Sequence, residues 1–301
     1  MAVKFGENER KIQEIFAVGK TFEYGDNKYE VKIVGKPVCK KGEPKTDVYI
    51  LGESADGEKL ELKISFKQEN ADFLENKMNA ERAAQLFGAN WKQVLIESIS
   101  TIKDKFEARF LIYQQDKGKT KDGCITLGWK FEILNKLSGE LSGVLCLTDG
   151  QKIDIYAGTN LSIDKKDASV CGAKITNSGI ATHILYEHDV ADDIQSVVNN
   201  LVPVETYATE HGDLYFACKA LNCRTKADVR YKHDGNRPLA VYVIWKTEND
   251  KLIGSLEYSD PLGKAGNEVK KLLVDSLKEL NIVTTDDVCE DNLFDCTKLY
   301  S

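Results

Sequence analysis

From Leu60 to Lys67 the chain alternates without a break, with Leu60, Leu62, Ile64 and Phe66 apolar and Glu61, Lys63, Ser65 and Lys67 polar. A period of two puts these sets on opposite faces of a strand, so one face is buried and the other carries Glu61 and Lys63 together. Just ahead, Asp47-Val48-Tyr49-Ile50-Leu51 is rich in β-branched and aromatic residues. The intervening Gly52 to Gly57 contains Asp56-Gly57, the signal of a tight reversal, and a hairpin is expected. A straight hairpin turning at Asp56-Gly57 would set Asp47 opposite Phe66, on the apolar face. A bulge or a loop of different length is needed to bring Asp47 across from Glu61 or Lys63.

Asp47, Glu61 and Lys63 have the chemistry of a metal site for phosphodiester cleavage. Hydrolysis of a phosphodiester builds negative charge on the attacking water, the non-bridging oxygens and the leaving oxygen. Mg2+ held by carboxylates relieves that charge and acidifies its bound water. Asp47 and Glu61 are the expected metal ligands. Lys63, two residues after the glutamate, points at the same centre, where its ammonium orients water and steadies the phosphate. With Pro44 three positions before Asp47, the segment resembles the PD-(D/E)xK nuclease motif of type II restriction endonucleases and related repair and recombination nucleases. The proline lies further from the aspartate than in the usual signature, and Asp-x13-Glu-x-Lys alone is a loose pattern. The alternative reading of these residues is a solvated, charged face of an amphipathic strand.

The flanks are compatible with the core that this resemblance implies, which is a helix, three strands, a helix and a strand. Glu7 to Ala17 carries Ile12, Ile15 and Phe16 at helical spacing, and Val18 to Tyr24 and Lys28 to Val34 read as strands joined over Gly25-Asp26-Asn27. After the hairpin, Asn70 to Phe87 and Asn90 to Ile102 read as helices and Phe106 to Gln114 as a strand. One strand and one helix are then additions. The resemblance also implies that an acidic residue of the first helix can complete the metal site, and Glu9 and Glu14 are the candidates. Lys77, Glu81 and Gln85 read as surface.

A net charge of −7 over 301 residues gives no general attraction to a polyanion, so nucleic-acid binding needs local basic patches. The densest runs from Lys219 to Arg237 and holds Arg224, Lys226, Arg230, Lys232 and Arg237, with Tyr231 among them. Arginine pairs with guanine edges and asparagines such as Asn222 and Asn236 with adenine, so this segment is the expected DNA-binding element. A solvated loop with a chance run of charge is the competing reading. Lys36 to Lys45 and Lys117 to Lys121 are further basic spots that suit phosphates or exposed turns.

Beyond the hairpin the chain reads as β-rich. Cys124 to Leu134, Gly143 to Thr148, Lys152 to Ala157, Leu214 to Ala220 and Leu239 to Lys246 are expected strands, with turns at Asp122-Gly123 and Asp149-Gly150. Ala191 to Leu201 and Gly266 to Leu280 are expected helices. The eight cysteines read as reduced thiols, because Met1 to Glu7 has no apolar signal segment and no apolar run is long enough for a bilayer. His183, His188, Cys218 and Cys223 argue poorly for zinc, and no Gly-rich phosphate loop points to a nucleotide cofactor.

The expectation is an α/β chain: a PD-(D/E)xK-type mixed sheet flanked by helices over residues 1–115, and a β-rich recognition or dimerisation part over 116–301. Its expected activity is that of an intracellular, cytoplasmic, Mg2+-dependent endonuclease acting on double-stranded DNA, like a type II restriction enzyme. A homodimer is expected, with no membrane partner. A structure-specific repair or junction-resolving nuclease shares the chemistry, and a non-enzymatic binding protein is the alternative of another class.

Overall fold

A computed structural model of the chain describes residues 2–40, 42–67, 73–211, 213–226, 229–233, 235–294 and 297–301. Parts of the expected helix from Asn70, together with Asp228, Asp234 and Cys296, lie outside the described residues. The protein is mixed α/β, with both parallel and antiparallel pairing in its first sheet. It divides into two compact units, neither continuous in sequence. The first comprises residues 1–71, 84–88 and 147–212, and the second comprises 72–83, 89–146 and 213–301. This differs from a division near residue 115, because Leu147 to Gly212 returns to the first unit.

The first unit begins with helix α1 (Ala2–Ile15), then strands β1 (Thr21–Tyr24), β2 (Asn27–Gly35), β3 (Val48–Ser54) and β4 (Lys59–Lys67). These four strands pair antiparallel in sequence order. The strand His183–Tyr186 then pairs parallel with β4, and Val202–Pro203 closes the edge. The apolar face of the β4 alternation is the core: Leu62, Ile64 and Phe66 pack with Val48, Ile50 and Leu185 beneath Ile12 and Phe16 of α1 and Val197 and Val198. On the opposite face Tyr186 meets Tyr207 of the helix Val204–Glu210, whose ring also takes Tyr156 of the helix Asp149–Ala157 edge-on at 5.0 Å. Helices therefore cover the sheet on both sides.

The turn between β3 and β4 decides where Asp47 lies. Its loop is Ala55-Asp56-Gly57: Gly57 N–H donates to Ser54 O at 3.0 Å and Ser54 N–H to Glu58 O at 2.9 Å. Gly57 has φ +82°, the left-handed glycine that closes a three-residue hairpin loop. The extra residue shifts the pairing so that Val48 faces Ile64 and Tyr49 faces Lys63. Asp47 is thereby moved away from the place opposite Phe66 that a two-residue turn gives it. Gly57→Val is expected to cost about 1–2 kcal/mol, the penalty of a β-branched side chain in the left-handed region, although nothing lies within 4 Å of its Cβ. Thermal unfolding checks this, and a midpoint unchanged from wild type would mean that the turn does not hold the register.

Several elements differ from expectation for local reasons. The helix α1 begins earlier than Glu7. The helix Ala80–Phe87 starts only after Asn79, whose side chain accepts the Arg82 N–H at 2.7 Å, and Phe73–Glu75 is a strand. Lys152 to Ala157 is helical, because Thr148 and Gln151 form a capping box that outweighs the alternating Ile153-Asp154-Ile155. Phe106 to Gln114 holds the end of the helix Lys103–Glu107 and the short strand Ile112–Tyr113, which belongs to the second unit. That unit is built on the long strand Cys124–Leu134, which pairs with Tyr215–Lys226 on one side and Val241–Glu248 on the other. The helix Gly266–Glu279 buries Val269, Leu273 and Leu277. Among the described residues no helix is long and apolar enough to cross a membrane, and no disulfide is formed.

Candidate functional site

Asp47 sits immediately before β3, against the end of β4. Its N–H donates to Ile64 O at 2.8 Å, and its Oδ2 accepts the Phe66 N–H at 2.7 Å and the Ser65 hydroxyl at 3.4 Å. No hydrogen bond to its Oδ1 occurs among the described residues. Burial holds the Asp47 carboxyl above the usual carboxylate range, and the nearby charge of Glu9 pushes the same way. Lys67, the Phe66 N–H and Lys36 act against them. Lys67 is depressed below an ordinary lysine by burial, with Asp47 opposing.

Glu9 completes this group from the helix. Glu9, Ile12 and Phe16 share one face of α1 at three- and seven-residue spacing, so the stripe that packs Ile12 and Phe16 into the core also carries Glu9 inward. Only 8% of Glu9 is exposed, and its Oε2 accepts from Lys36 Nζ at 2.7 Å, just beyond the end of β2. Burial lowers Lys36, but Glu9 and the charge of Asp47 outweigh it and leave the ammonium above its ordinary value. Glu9 and Lys36 therefore pair near Asp47, which feels the charges of both and of Lys67.

Glu61 and Lys63 form a different group. Lys63 Nζ lies 3.4 Å from Glu61 Oε2, and Tyr49 donates its hydroxyl to Glu61 Oε1 at 2.5 Å. Glu61 faces Leu51 on β3, four residues along β4 from Ser65, or about 13 Å at about 3.3 Å per residue. Asp47 and Glu61 are thus on the hairpin as expected but do not meet as a pair of metal ligands. Lys63 is bound into its neighbourhood by backbone bonds with Thr182, at 3.2 Å and 2.8 Å. Tyr49 is raised by burial and by Glu61, so it stays a neutral donor. His183, lowered by burial, is fixed between Thr182 Oγ1 at 2.9 Å and Tyr24 OH at 3.0 Å.

Sequence reasoning missed Lys67 and weighed Glu9 without choosing it. The signals were present. Ser65-Phe66-Lys67 repeats the x-x-Lys spacing of Glu61-Leu62-Lys63 one step nearer to Asp47, and Glu9 falls in the apolar stripe of its helix, where a solvated glutamate does not belong. Glu14 lies off that stripe.

Among the described residues no group of three or more His, Cys, Asp or Glu side chains could hold a metal. Mg2+ does not need one, since it keeps several waters and is commonly bound by one or two carboxylates together with substrate phosphate. Asp47, with Oδ1 uncommitted, and Glu9 are hard oxygen donors of that kind. The adjoining Thr46 hydroxyl is buried with no hydrogen-bond partner among the described residues.

The basic segment lies in the second unit, on the hairpin of Tyr215–Lys226 and Val229–His233. Arg224 is spent on Asp122, with Nη2 to Oδ1 at 2.7 Å and Nε to the backbone O at 2.8 Å. Lys226 lies 3.4 Å from Asp122 and 3.1 Å from Asp286. Lys232 and Arg237 are exposed, and the side chain of Arg230 lies outside the described ones. Because Arg224 and Lys226 are matched by acids, Arg224→Ala is expected to change the affinity for DNA less than about twofold. Asp122→Asn, which removes the charge that matches Arg224 while Lys226 keeps Asp286, should strengthen binding and steepen its salt dependence by about one log–log unit. A titration of fluorescent duplex at several salt concentrations reads both, and a large loss on Arg224→Ala would restore this segment as the binding element.

Compared with known proteins, the chain matches no family model, no curated protein and no solved structure.

Proposed function

We propose that the first unit is the cutting unit of a Mg2+-dependent endonuclease acting on double-stranded DNA, and that its working residues are Asp47, Glu9 and Lys67. The observation that carries this is the half-buried Asp47 carboxylate, with one oxygen uncommitted, gathered with Glu9, Lys36 and Lys67 at the end of the hairpin. A carboxylate held above its ordinary range beside two lysines is disfavoured in the fold, and such groups concentrate at functional sites. The order of elements also supports the reading. A helix, three successive antiparallel strands and, after a crossover, a strand parallel to the last are compatible with the core implied by the resemblance to PD-(D/E)xK nucleases, with β1 and Val202–Pro203 as additions.

In this reading Asp47 and Glu9 would hold a Mg2+ ion, which would supply positive charge to the phosphate and a more acidic water. Lys67, depressed by burial, accepts or relays a proton more readily than an ordinary lysine and offers positive charge to the scissile phosphate. Lys36, 2.7 Å from Glu9 Oε2, orients the Glu9 carboxylate. Glu61, first assigned to the metal, and Lys63 serve here to tie β3, β4 and the strand His183–Tyr186 together. Cutting both strands with one such site per chain calls for two copies or two successive cuts, and a homodimer is the simpler arrangement.

The test is incubation of the purified protein with long unmodified duplex DNA, in Mg2+ and in EDTA. Sharp Mg2+-dependent bands are expected. A Mg2+-dependent smear or nicking would instead indicate a nuclease that reads DNA structure, and intact DNA across several substrates would overturn the reading.

A further inference from the structure

The second unit contains a groove of about 1020 Å³ whose charge is opposite to that of the chain as a whole. Lys105, Arg109, Lys117, Lys119 and Lys219 line it against a single carboxylate, Glu140, in a protein of net charge −7. Among the described residues only Arg109 is matched, by Glu140 itself. Lys105 and Lys119 have no ion-pair partner among the described residues, and Lys219 reaches only the Ser138 hydroxyl, at 3.5 Å. Lys117 stands over the rings of Phe110 and Tyr300, at 4.5 and 4.2 Å.

The walls are built to hold these groups in place. Lys117 and Thr120 exchange backbone hydrogen bonds of 2.9 and 3.0 Å around Gly118, at φ +58°, which lifts Lys117 and Lys119 on a two-residue turn. The opposite wall is the turn at Gly139, held by the Ser142 hydroxyl donating to Gly139 O at 2.7 Å. The floor is the sheet itself, with Trp129 and Thr126 from Cys124–Leu134 and Ala220 and Asn222 from Tyr215–Lys226. The Asn222 amide finds no hydrogen-bond partner at either end among the described residues, and its Oδ1 is buried. Turned about its last side-chain bond, that amide offers either a donor or an acceptor to the groove.

Cations on the rim, aromatic and apolar surface below and an unpartnered amide on the floor are the features with which proteins hold an unpaired nucleic-acid strand. The groove has the volume of a small-ligand site and is too small for a duplex. We propose that this groove binds unpaired DNA nucleotides, with phosphates on Lys105, Lys117 and Lys119 and a base beside Phe110 and Asn222. The nucleotides come either from a strand already single or from a base extruded out of the duplex that the first unit cuts. The proposal rests on the nuclease reading only for the choice of DNA as the nucleic acid.

The test is binding of a short fluorescent single-stranded oligonucleotide in EDTA, across a salt series, with no cleavage in progress. Wild type is expected to bind. The double variant Lys105→Gln/Lys119→Gln should lose about tenfold or more in affinity at moderate salt, and its log–log salt slope should flatten by about 1.4 for two lost phosphate contacts. Asn222→Ala should weaken binding with the slope unchanged, and Asp47→Asn should bind as wild type. A duplex carrying a single 2-aminopurine separates the two sources: brightening on binding marks an extruded base, and a dark duplex beside a tightly bound single strand marks unpaired DNA. Equal affinity and slope for wild type and the double variant, or no binding of single strands by wild type, overturns the groove even if the protein cuts DNA. Groove-dependent binding by a protein that never cuts under any condition would leave the groove standing and remove the nuclease reading.

Discussion

Asp47→Asn is expected to abolish cleavage and, at neutral pH without metal, to make the protein more stable. Both effects come from one fact, that the fold holds this carboxylate in surroundings that disfavour its charge. Its value lies above that of the unfolded chain, so its contribution to stability is complete below the unfolded value of about 3.9 and is lost as pH rises through the raised folded value. At neutral pH the wild type carries that cost and the asparagine variant does not, while the amide oxygen still accepts the Phe66 N–H. A gain of about 1 kcal/mol would raise the thermal midpoint by about 2–4 °C, and it should vanish in acid, where both side chains are uncharged. Mg2+ should stabilise the wild type, by an amount that grows with the logarithm of its concentration, and leave Asp47→Asn unmoved. Cleavage should fall by about a thousandfold or more once this ligand loses its charge. A lower midpoint for the variant at neutral pH, or an equal response of both proteins to Mg2+, would show that Asp47 is a structural hydrogen-bond acceptor.

Much of the fold was legible because it follows from periodicity. The β4 alternation identifies the face that packs into the core, although Lys63 and Ser65 on the other face are buried as well; the long strand Cys124–Leu134 matches its expected limits, and the helix Gly266–Glu279 follows its apolar stripe. The site was legible only in part, since it depends on register. Asp56-Gly57 marks a reversal but does not say whether two or three residues close it, and that one-residue difference moves Asp47 from Phe66 to the side of Ser65 and Lys67. The nearest Glu-x-Lys therefore drew attention to Glu61 and Lys63, whereas Glu9, Lys36 and Lys67 act on Asp47 at the other end of the strand. The division into units was less legible still. The parallel partner of β4, His183–Tyr186, lies far along the chain behind segments of the second unit, and parallel pairing leaves no local turn to announce it.

Exchanging the two lysines separates the alternatives most sharply. Lys67→Ala is expected to lower the cleavage rate by about 10²–10⁴-fold, the usual effect of removing a group that moves a proton in the transition state. Lys63→Ala should leave cleavage within about tenfold of wild type, because Lys63 pairs with Glu61 at 3.4 Å, whereas Lys67 is the lysine whose charge acts most on Asp47. Lys67→Arg asks what the side chain does: arginine keeps the positive charge but cannot give up its proton, so inactivity would assign proton transfer, and partial activity would assign charge alone. Burial lowers the Lys67 ammonium, so under proton transfer the rate at saturating Mg2+ should rise with pH and level off below the range of an ordinary lysine. Removing Lys67 also takes away the cation that most opposes the raised carboxyl of Asp47, so single-strand binding in EDTA serves as the check that the protein remains folded. If Lys63→Ala is dead and Lys67→Ala cuts normally, the metal site belongs to Glu61 and Lys63, and the hairpin must then close more tightly on substrate than it does here.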